Sequence, residues 1–417
     1  MITDENATRS SLADFYLSDS PDPLEPSKDW RDWRRMTAWA SSLYEQSLLD
    51  GPRPITRLET GEVINMTSYN YLGMAHDHRV LEGAEAALRR YGAGACGSPL
   101  LSGMTDLHRE LERRMAAFLG RADCLLFTSG YGGALGTVSG LLRKGDVALL
   151  DERSHTSLVD GVKLSGAKLV FFAHNDPDDL DCLLTRHEGA RRIVAVEGIY
   201  SLDGDLGDLP GICAVADRHD VGVVVDEAHS ILTLGRTGRG AFEHFGCDQG
   251  HTLQYGTFSK AFAGVGGFVA GGRDLLDYLR CFAASYGFSC ALPPSVVGGL
   301  IAVLDIMLED RSRIQRLARN ADFFRAGLHE LGVDTGDSSS HVVPIIVGDD
   351  RRRLYELGTR LRDRGLFLAP VDYPAVPEDS LRFRASVTAS HTEDDLRRAL
   401  TIIRDVAVPG SAERSQR

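Results

Sequence analysis

Two side chains in the middle of the chain have the types organic catalysis needs, in settings that would let them share one ligand. Asp226 follows the apolar run Val221-Gly222-Val223-Val224-Val225 and opens Asp226-Glu227-Ala228-His229-Ser230. Lys260 lies in Gly256-Thr257-Phe258-Ser259-Lys260-Ala261, ahead of the glycine-rich strand Gly266-Gly267-Phe268-Val269-Ala270. A short β-branched run reads as a buried parallel strand. An acid at its carboxyl end faces the crevice where open α/β sheets take ligands. A lysine can form a Schiff base with an aldehyde, and a carboxylate can pair with a protonated pyridine nitrogen. The two together suit pyridoxal phosphate (PLP). An Asp after a strand is often only a helix cap, and Ser-Lys is a common dipeptide. Both in this order, each with its strand and glycine context, favour the cofactor reading.

Other candidates fall at strand ends. Ser129-Gly130-Tyr131 sits between a strand and a helix, where free N–H groups bind phosphate and glycine lets the backbone approach. Thr257 and Ser259 could offer hydroxyls to the same phosphate. His155 follows the strand Val147–Leu150 and could stack on a cofactor ring; a histidine bonded to helix-start backbone is an equal alternative from position alone. His229, three residues past Asp226, could reach the cofactor hydroxyl; a histidine packed under the following loop is an equal alternative from position alone. Ser201 follows another strand end and could do the same, or serve only as a turn former.

Positioning these side chains takes a repeated βα pattern. Strands are expected at 124–127, 147–150, 168–172, 192–197 and 221–225, with helices between them. That predicts a mostly parallel sheet with helices on both faces. After Gly271 the texture changes to helices and then strands interspersed with helices, an α+β pattern. The expected division is an N-terminal segment over 1–62, a large ligand-binding domain over 63–300 and a small C-terminal domain over 301–417. Trp30, Trp33, Met36 and Trp39 recur at helical spacing, a stripe that would pack on the body of the protein. Residues 1–30 and the tail from Pro409 are expected to be loose.

With 417 residues, 43% hydrophobic and 25% charged, the composition is that of a soluble globular protein. A net charge of −13 without a basic stripe argues against nucleic-acid binding. Seven scattered cysteines with no CxxC pair point to inert thiols in a reducing cytoplasm and to no metal site. No apolar run approaches membrane-spanning length, and the acidic N-terminus is no signal peptide.

The order of short motifs resembles the α-oxoamine synthases, fold type I PLP enzymes that include serine palmitoyltransferase, 8-amino-7-oxononanoate synthase, 5-aminolevulinate synthase and 2-amino-3-ketobutyrate CoA ligase. The matching stretches are Tyr69-Asn70-Tyr71-Leu72-Gly73, Leu101-Ser102-Gly103, Ser154-His155, Glu197-Gly198-Ile199-Tyr200-Ser201, Asp226-Glu227-Ala228-His229, Thr257-Phe258-Ser259-Lys260, Leu292-Pro293-Pro294-Ser295, and Arg384 with His391-Thr392. Tyr69-Asn70-Tyr71 and Asp226–Ser230 are most similar to the serine palmitoyltransferase branch. The resemblance implies a fold type I α/β transferase with a mostly parallel sheet and a smaller α+β domain. It implies decarboxylative condensation of an amino acid with an acyl thioester of CoA or an acyl-carrier protein, in lipid or secondary-metabolite biosynthesis.

By the same resemblance, Lys260 holds PLP and moves the Cα proton, Asp226 pairs with the ring nitrogen and His155 stacks on the ring. Gly130, Tyr131, Thr257 and Ser259 hold the phosphate, with Ser289 reaching in from the second subunit of a homodimer. Ser201 and His229 bind the ring hydroxyl. Arg384 takes the amino-acid carboxylate, and Tyr69 and Asn70 line the substrate pocket. Three departures stand out. Gly132-Gly133 is flexible for a helix start, Ile231–Leu234 replaces the usual loop and could reshape the pocket, and Ala375 stands where the biotin-pathway enzyme has a threonine. The last weighs against 8-amino-7-oxononanoate synthesis. Within the family, an 8-amino-7-oxononanoate synthase-like or 2-amino-3-ketobutyrate CoA ligase-like enzyme is the alternative; outside it, a fold type I aminotransferase or lyase and a non-catalytic partner subunit are the rival readings, and the retained Lys260 argues against the last.

Overall fold

The computed structural model describes residues 43–247 and 250–407, together with 22, 24, 25 and 31. The stripe Trp30, Trp33, Met36 and Trp39 and the tail from Pro409 lie outside the described residues. The chain divides into two compact units. One is Tyr69–Arg319 with Thr388–Ser390; the other is Met1–Ser68, Asn320–Val387 and His391–Arg417. The expected division at 300/301 therefore falls inside a helix, Pro294–Glu309. The expected 62/63 division falls inside a strand, Gly61–Asn65, of the second unit.

In chain order, β1 (Ile55–Leu58) and β2 (Gly61–Asn65) form a hairpin of the second unit. The first unit then runs α1 (His78–Tyr91), α2 (Asp106–Leu119), β3 (Asp123–Phe127), α3 (Gly130–Leu141), β4 (Val147–Asp151), α4 (Thr156–Ser165) and β5 (Lys168–Phe172). It continues with α5 (Pro177–Arg186), β6 (Arg192–Glu197), α6 (Leu209–Arg218), β7 (Gly222–Asp226), α7 (Ala241–Phe245), β8 (Thr252–Thr257), β9 (Gly267–Gly271), α8 (Arg273–Phe282) and α9 (Pro294–Glu309). Helix α10 (Ser312–Glu330) passes from the first unit into the second.

The seven-stranded sheet has the order β3-β9-β8-β7-β6-β4-β5. Pairings among β8, β7, β6, β4 and β5 are parallel, and β9 is antiparallel to both neighbours. The period of two in a pleated strand explains why these runs are apolar throughout. Val147, Leu149, Val194, Val196, Val223 and Val225 pack on one face with α5 and α6. Ala148, Leu150, Ala195 and Val224 pack on the other with α3, α4 and α8. A third cluster joins α2, α9 and the Phe258–Phe262 turn. Helices on both faces of a mostly parallel sheet make this the expected fold type I architecture.

In the second unit, β10 (Val342–Gly348), β12 (Pro370–Val371) and β13 (Leu381–Ser386) form an antiparallel sheet, with α11 (Arg351–Asp363) and α12 (Glu393–Ala407) as its helices. Strand β11 (Leu366–Phe367) lies parallel to β2. Strands β1 and β12 had no counterpart in the sequence reading; a run of two or four residues is too short to show a period.

Candidate active site

In parallel register, Glu197 of β6 pairs with Asp226 of β7, so two carboxylates end adjacent strands. Both are buried. Asp226 accepts a hydrogen bond from the Ala228 N–H at 2.8 Å. Burial raises the Asp226 carboxyl, and the Lys260 ammonium opposes that rise. Burial and then the Asp226 charge raise Glu197 well above the usual carboxylate range. Two buried carboxylates side by side oppose each other's ionisation, and Asp226 is compensated by Lys260 and by the Ala228 N–H.

Lys260 stands on a turn that the core holds rigid. Phe258 and Phe262 are buried with ring centroids 5.0 Å apart, and Ala261 is buried beside them. The Phe258 N–H donates to Gly266 O at 2.9 Å, and Gly264 N–H to Phe258 O at 2.8 Å. Anchoring these apolar residues inward turns Ser259 and Lys260 toward the cavity. The Lys260 ammonium lies 5.8 Å from the centroid of the Tyr69 ring.

The cavity measures about 270 Å³, near the lower end of small-molecule sites at roughly 300 Å³. Its walls are Ser129, Gly130 and Tyr131 at the start of α3; His155, Glu197, Ser201, Asp226, Ala228 and His229 at or beyond strand ends; and Tyr255, Thr257, Ser259 and Lys260 along β8 and its turn. Each ring-contacting and phosphate-holding candidate read from the sequence, apart from Ser289, is thus brought to one hollow.

At one end the hollow is built for an anion. Ser129 caps α3, its Oγ accepting from Gly132 N–H at 2.8 Å and its carbonyl from Gly133 N–H at 3.0 Å. The helix thereby leaves the N–H groups of Gly130 and Tyr131 for a ligand. The Tyr131 hydroxyl donates to Asp160 at 2.6 Å, so Tyr131 would serve through its main chain. Thr257 Oγ1 and Ser259 Oγ lie 2.7 Å apart beside them. A β-carbon on Gly130 would fall 2.7 Å from Thr257 Cβ, so only glycine lets the helix start approach β8 this closely.

At the other end, His229 is buried and its Nδ1 shares a 2.9 Å hydrogen bond with the Tyr71 hydroxyl, which orients the ring. His155 is the N-cap of α4, with Nδ1 accepting from the Ser157 N–H at 3.2 Å, and it also lines the cavity. Asn70 Oδ1 accepts from Ala75 N–H at 3.2 Å. Ser289 is half-buried and outside the cavity wall of its own chain. Arg384 lies on β13 of the second unit, opposite Pro344 and half-buried.

The Ile231–Leu234 segment departs from expectation. Ile231 and Leu232 are buried in the cluster around Phe258 and do not line the cavity, because their side chains fill the core beneath the turn. Gly132-Gly133 forms a regular part of α3. Glu197 and Tyr255 line the site but carried no assigned role in the sequence. The available signals were register with Asp226 for one and a two-residue step from Thr257 for the other. Among the described residues, no group of three or more His, Cys, Asp and Glu could hold a metal ion, and no helix is long and apolar enough to cross a membrane.

Residues 61–403 match the family model described as aminotransferase class I and II. The chain is 36% identical over 379 residues to an 8-amino-7-oxononanoate synthase of Thermoanaerobacter pseudethanolicus, covering 90% of this chain and 93% of that one. It is 38% identical over 340 residues to a serine palmitoyltransferase of Sphingobacterium spiritivorum, covering 81% and 85%. A solved structure of SPT with its PLP internal aldimine superposes with a TM-score of 0.86 at 31% identity, covering 91% of this chain and 96% of that one.

Proposed function

The chain belongs to the class I and II aminotransferase family and, within it, to the α-oxoamine synthases, and from that premise we propose that it is a PLP-dependent acyltransferase of the serine palmitoyltransferase type. It joins an amino acid to an acyl thioester and releases CO2, a free thiol and an α-amino ketone. The observation that carries this is one hollow with Lys260, Asp226 and His155 on its walls and an anion-binding helix start at one end.

The residues present fit PLP. The Gly130 and Tyr131 N–H groups with the Thr257 and Ser259 hydroxyls would hold its phosphate, and Ser201 and His229 its ring hydroxyl. Asp226, as a buried carboxylate, would keep the pyridine nitrogen protonated. When bound, the cofactor supplies an electron sink for the carbon bearing the amino group. His155 would cover the ring face and exclude water from it. Lys260, freed when the amino acid's nitrogen takes its place, would remove the Cα proton, a positioned-base effect of roughly 10²–10⁴-fold. The Cα electron pair would then bond to the thioester carbonyl carbon as the C–S bond breaks, the sulfur leaving as thiolate and taking a proton from solvent. The C–CO2 bond would break next, and Lys260 would return its proton to Cα. Arg384 would hold the amino-acid carboxylate in a planar two-point grip, and Tyr69 and Asn70 would bound the substrate.

A homodimer is part of this reading, with Ser289 completing the phosphate site from a second copy. Its support is an exposed apolar set in the first unit: Phe288 at 93% exposure and Leu101 at 86%, with Leu100 and Phe282. The seven cysteines are free, which suits a cytoplasmic enzyme. Purified protein given PLP, an acyl thioester and serine, glycine or alanine in turn should release thiol and CO2 only when an amino acid is present. Amino-group exchange with a keto acid, without thiol release, would leave the cofactor reading standing and refute the condensation.

A further inference from the structure

Behind the site, outside its lining, three neighbouring strand ends meet on one imidazole. His174 follows β5, the edge strand of the order β6-β4-β5. Its Nδ1 lies 3.0 Å from Asp151 Oδ1 at the end of β4, and its Nε2 lies 2.6 Å from Asp205 Oδ2 in the loop after β6. Both ring nitrogens face carboxylates, and both can donate only as an imidazolium. Asp151 is fully buried and also accepts from the Arg153 and Asn175 N–H groups at 2.8 and 2.9 Å. The Tyr200 ring packs edge-on against His174 with centroids 4.5 Å apart. Arg153 and Asp203 form a second bridge between the same two loops at 3.4 Å.

Each carboxylate anchors a loop that delivers a cavity residue. Four residues past Asp151 stands His155, after a turn closed by Ser154 N–H to Asp151 O at 2.9 Å. Four residues before Asp205 stands Ser201, in a turn closed by Tyr200 N–H to Asp205 O at 3.0 Å. We propose that His174 is a positioning residue: as an imidazolium bridging Asp151 and Asp205, it fixes the His155 loop against the Ser201 loop, so that ring-stacking and hydroxyl-binding groups are set before the cofactor enters. This rests on the PLP reading of the cavity. It concerns a residue outside the cavity wall, 23 and 31 residues along the chain from the two carboxylates it bridges.

The charged and titratable groups facing His174 are Asp151 from β4, Asp205 and the Tyr200 phenol from the loop after β6, and the paired Arg153 and Asp203 beyond them. From α5, Asp179 is engaged with the Ala173 N–H at 2.8 Å. Burial pulls the imidazolium down, but the two carboxylates outweigh it and hold it up to about 9. The bridge is therefore intact at neutral pH and is lost as pH rises through about 9.

The test measures PLP affinity of the apoprotein from pH 7 to 10 for wild type, His174→Gln and Asp205→Asn, with thermal melts alongside. Taking the ratio of wild type to variant at each pH cancels the titration of Lys260. The expected result is a roughly tenfold or greater loss for His174→Gln at pH 7, the scale of a misplaced binding group, with the ratio falling toward one above about pH 9. Asp205→Asn, which removes one of the two carboxylates, should move that inflection to lower pH. An unchanged affinity in His174→Gln overturns the proposal, and so does a loss whose ratio is flat with pH, which marks a purely structural residue. Wild type that fails to bind PLP at all would instead sink the cofactor reading itself.

Discussion

Gly130→Ala adds one methyl group where the helix start meets the end of β8. The new carbon would lie 2.7 Å from Thr257 Cβ and 2.8 Å from Thr257 Oγ1. Thr257 cannot turn aside cheaply. It is buried and β-branched, and its Oγ1 donates to Gly266 O at 2.9 Å and accepts from Ser259 N–H at 3.2 Å. Overpacking of this kind costs about 1–3 kcal/mol. If the Gly130 and Tyr131 N–H groups and the two hydroxyls grip one phosphate, much of that strain reappears as lost cofactor affinity. At about 1.4 kcal/mol per tenfold, PLP should bind roughly 10- to 100-fold more weakly. Titration of the apoprotein with PLP, in competition with inorganic phosphate, reads this directly. Gly272→Ala is the control, since its β-carbon would meet nothing within 4 Å; it should bind as wild type. A Gly130→Ala protein that is destabilised yet binds PLP with wild-type affinity would refute the phosphate assignment.

Three further outcomes follow from the same geometry. Asp226→Ala should still fold and take up PLP through its phosphate, but lose roughly 10²–10³-fold in kcat, the scale of one removed electrostatic partner; near-normal turnover would count against the ring-nitrogen role. Glu227→Ala should cost about 3 kcal/mol in urea unfolding, because the buried Glu227 carboxylate accepts from Ala241 N–H at 2.9 Å and Gln254 Nε2 at 3.2 Å and from the Ser230 hydroxyl; a loss under about 1 kcal/mol would show that water replaces it. His391 is buried, and burial lowers it from 6.5 to about 4 despite its hydrogen bond with Asn65 O. Its neutral form is the folded one, so stability is full above pH 6.5 and falls toward pH 4 as the unfolded chain takes the proton. The contribution is about 3 kcal/mol over that window. His391→Asn should flatten that part of the stability-against-pH curve relative to wild type, and parallel curves would contradict it.

Much of this was legible in the chain because the sheet's strands are uninterrupted apolar runs. Arg192–Glu197 and Lys168–Phe172 were bounded to the residue. Buried on both faces, such runs leave turn formers only at their ends, and the chemistry sits at those ends. Tyr255 was hidden for the opposite reason, since an aromatic inside a strand reads as core whichever side it faces. Glu197 was hidden because a lone carboxylate at a strand end resembles a cap until register places it beside Asp226. The Asp151–His174–Asp205 bridge joins residues 23 and 31 apart, and no local pattern encodes a contact made by the lateral order of strands. The chain crosses between its two compact units within α10, where no composition break marks the place.

The chain holds five lysines, Lys28, Lys144, Lys163, Lys168 and Lys260, so covalent attachment of the cofactor can be mapped without ambiguity. Borohydride reduction of the PLP-loaded protein, followed by peptide mass analysis, should place the pyridoxyl group on Lys260 alone and abolish the visible absorption band, and Lys260→Ala should show neither label nor band. Label shared among the other lysines, or a band that survives Lys260→Ala, would contradict a cofactor held between Lys260 and Asp226.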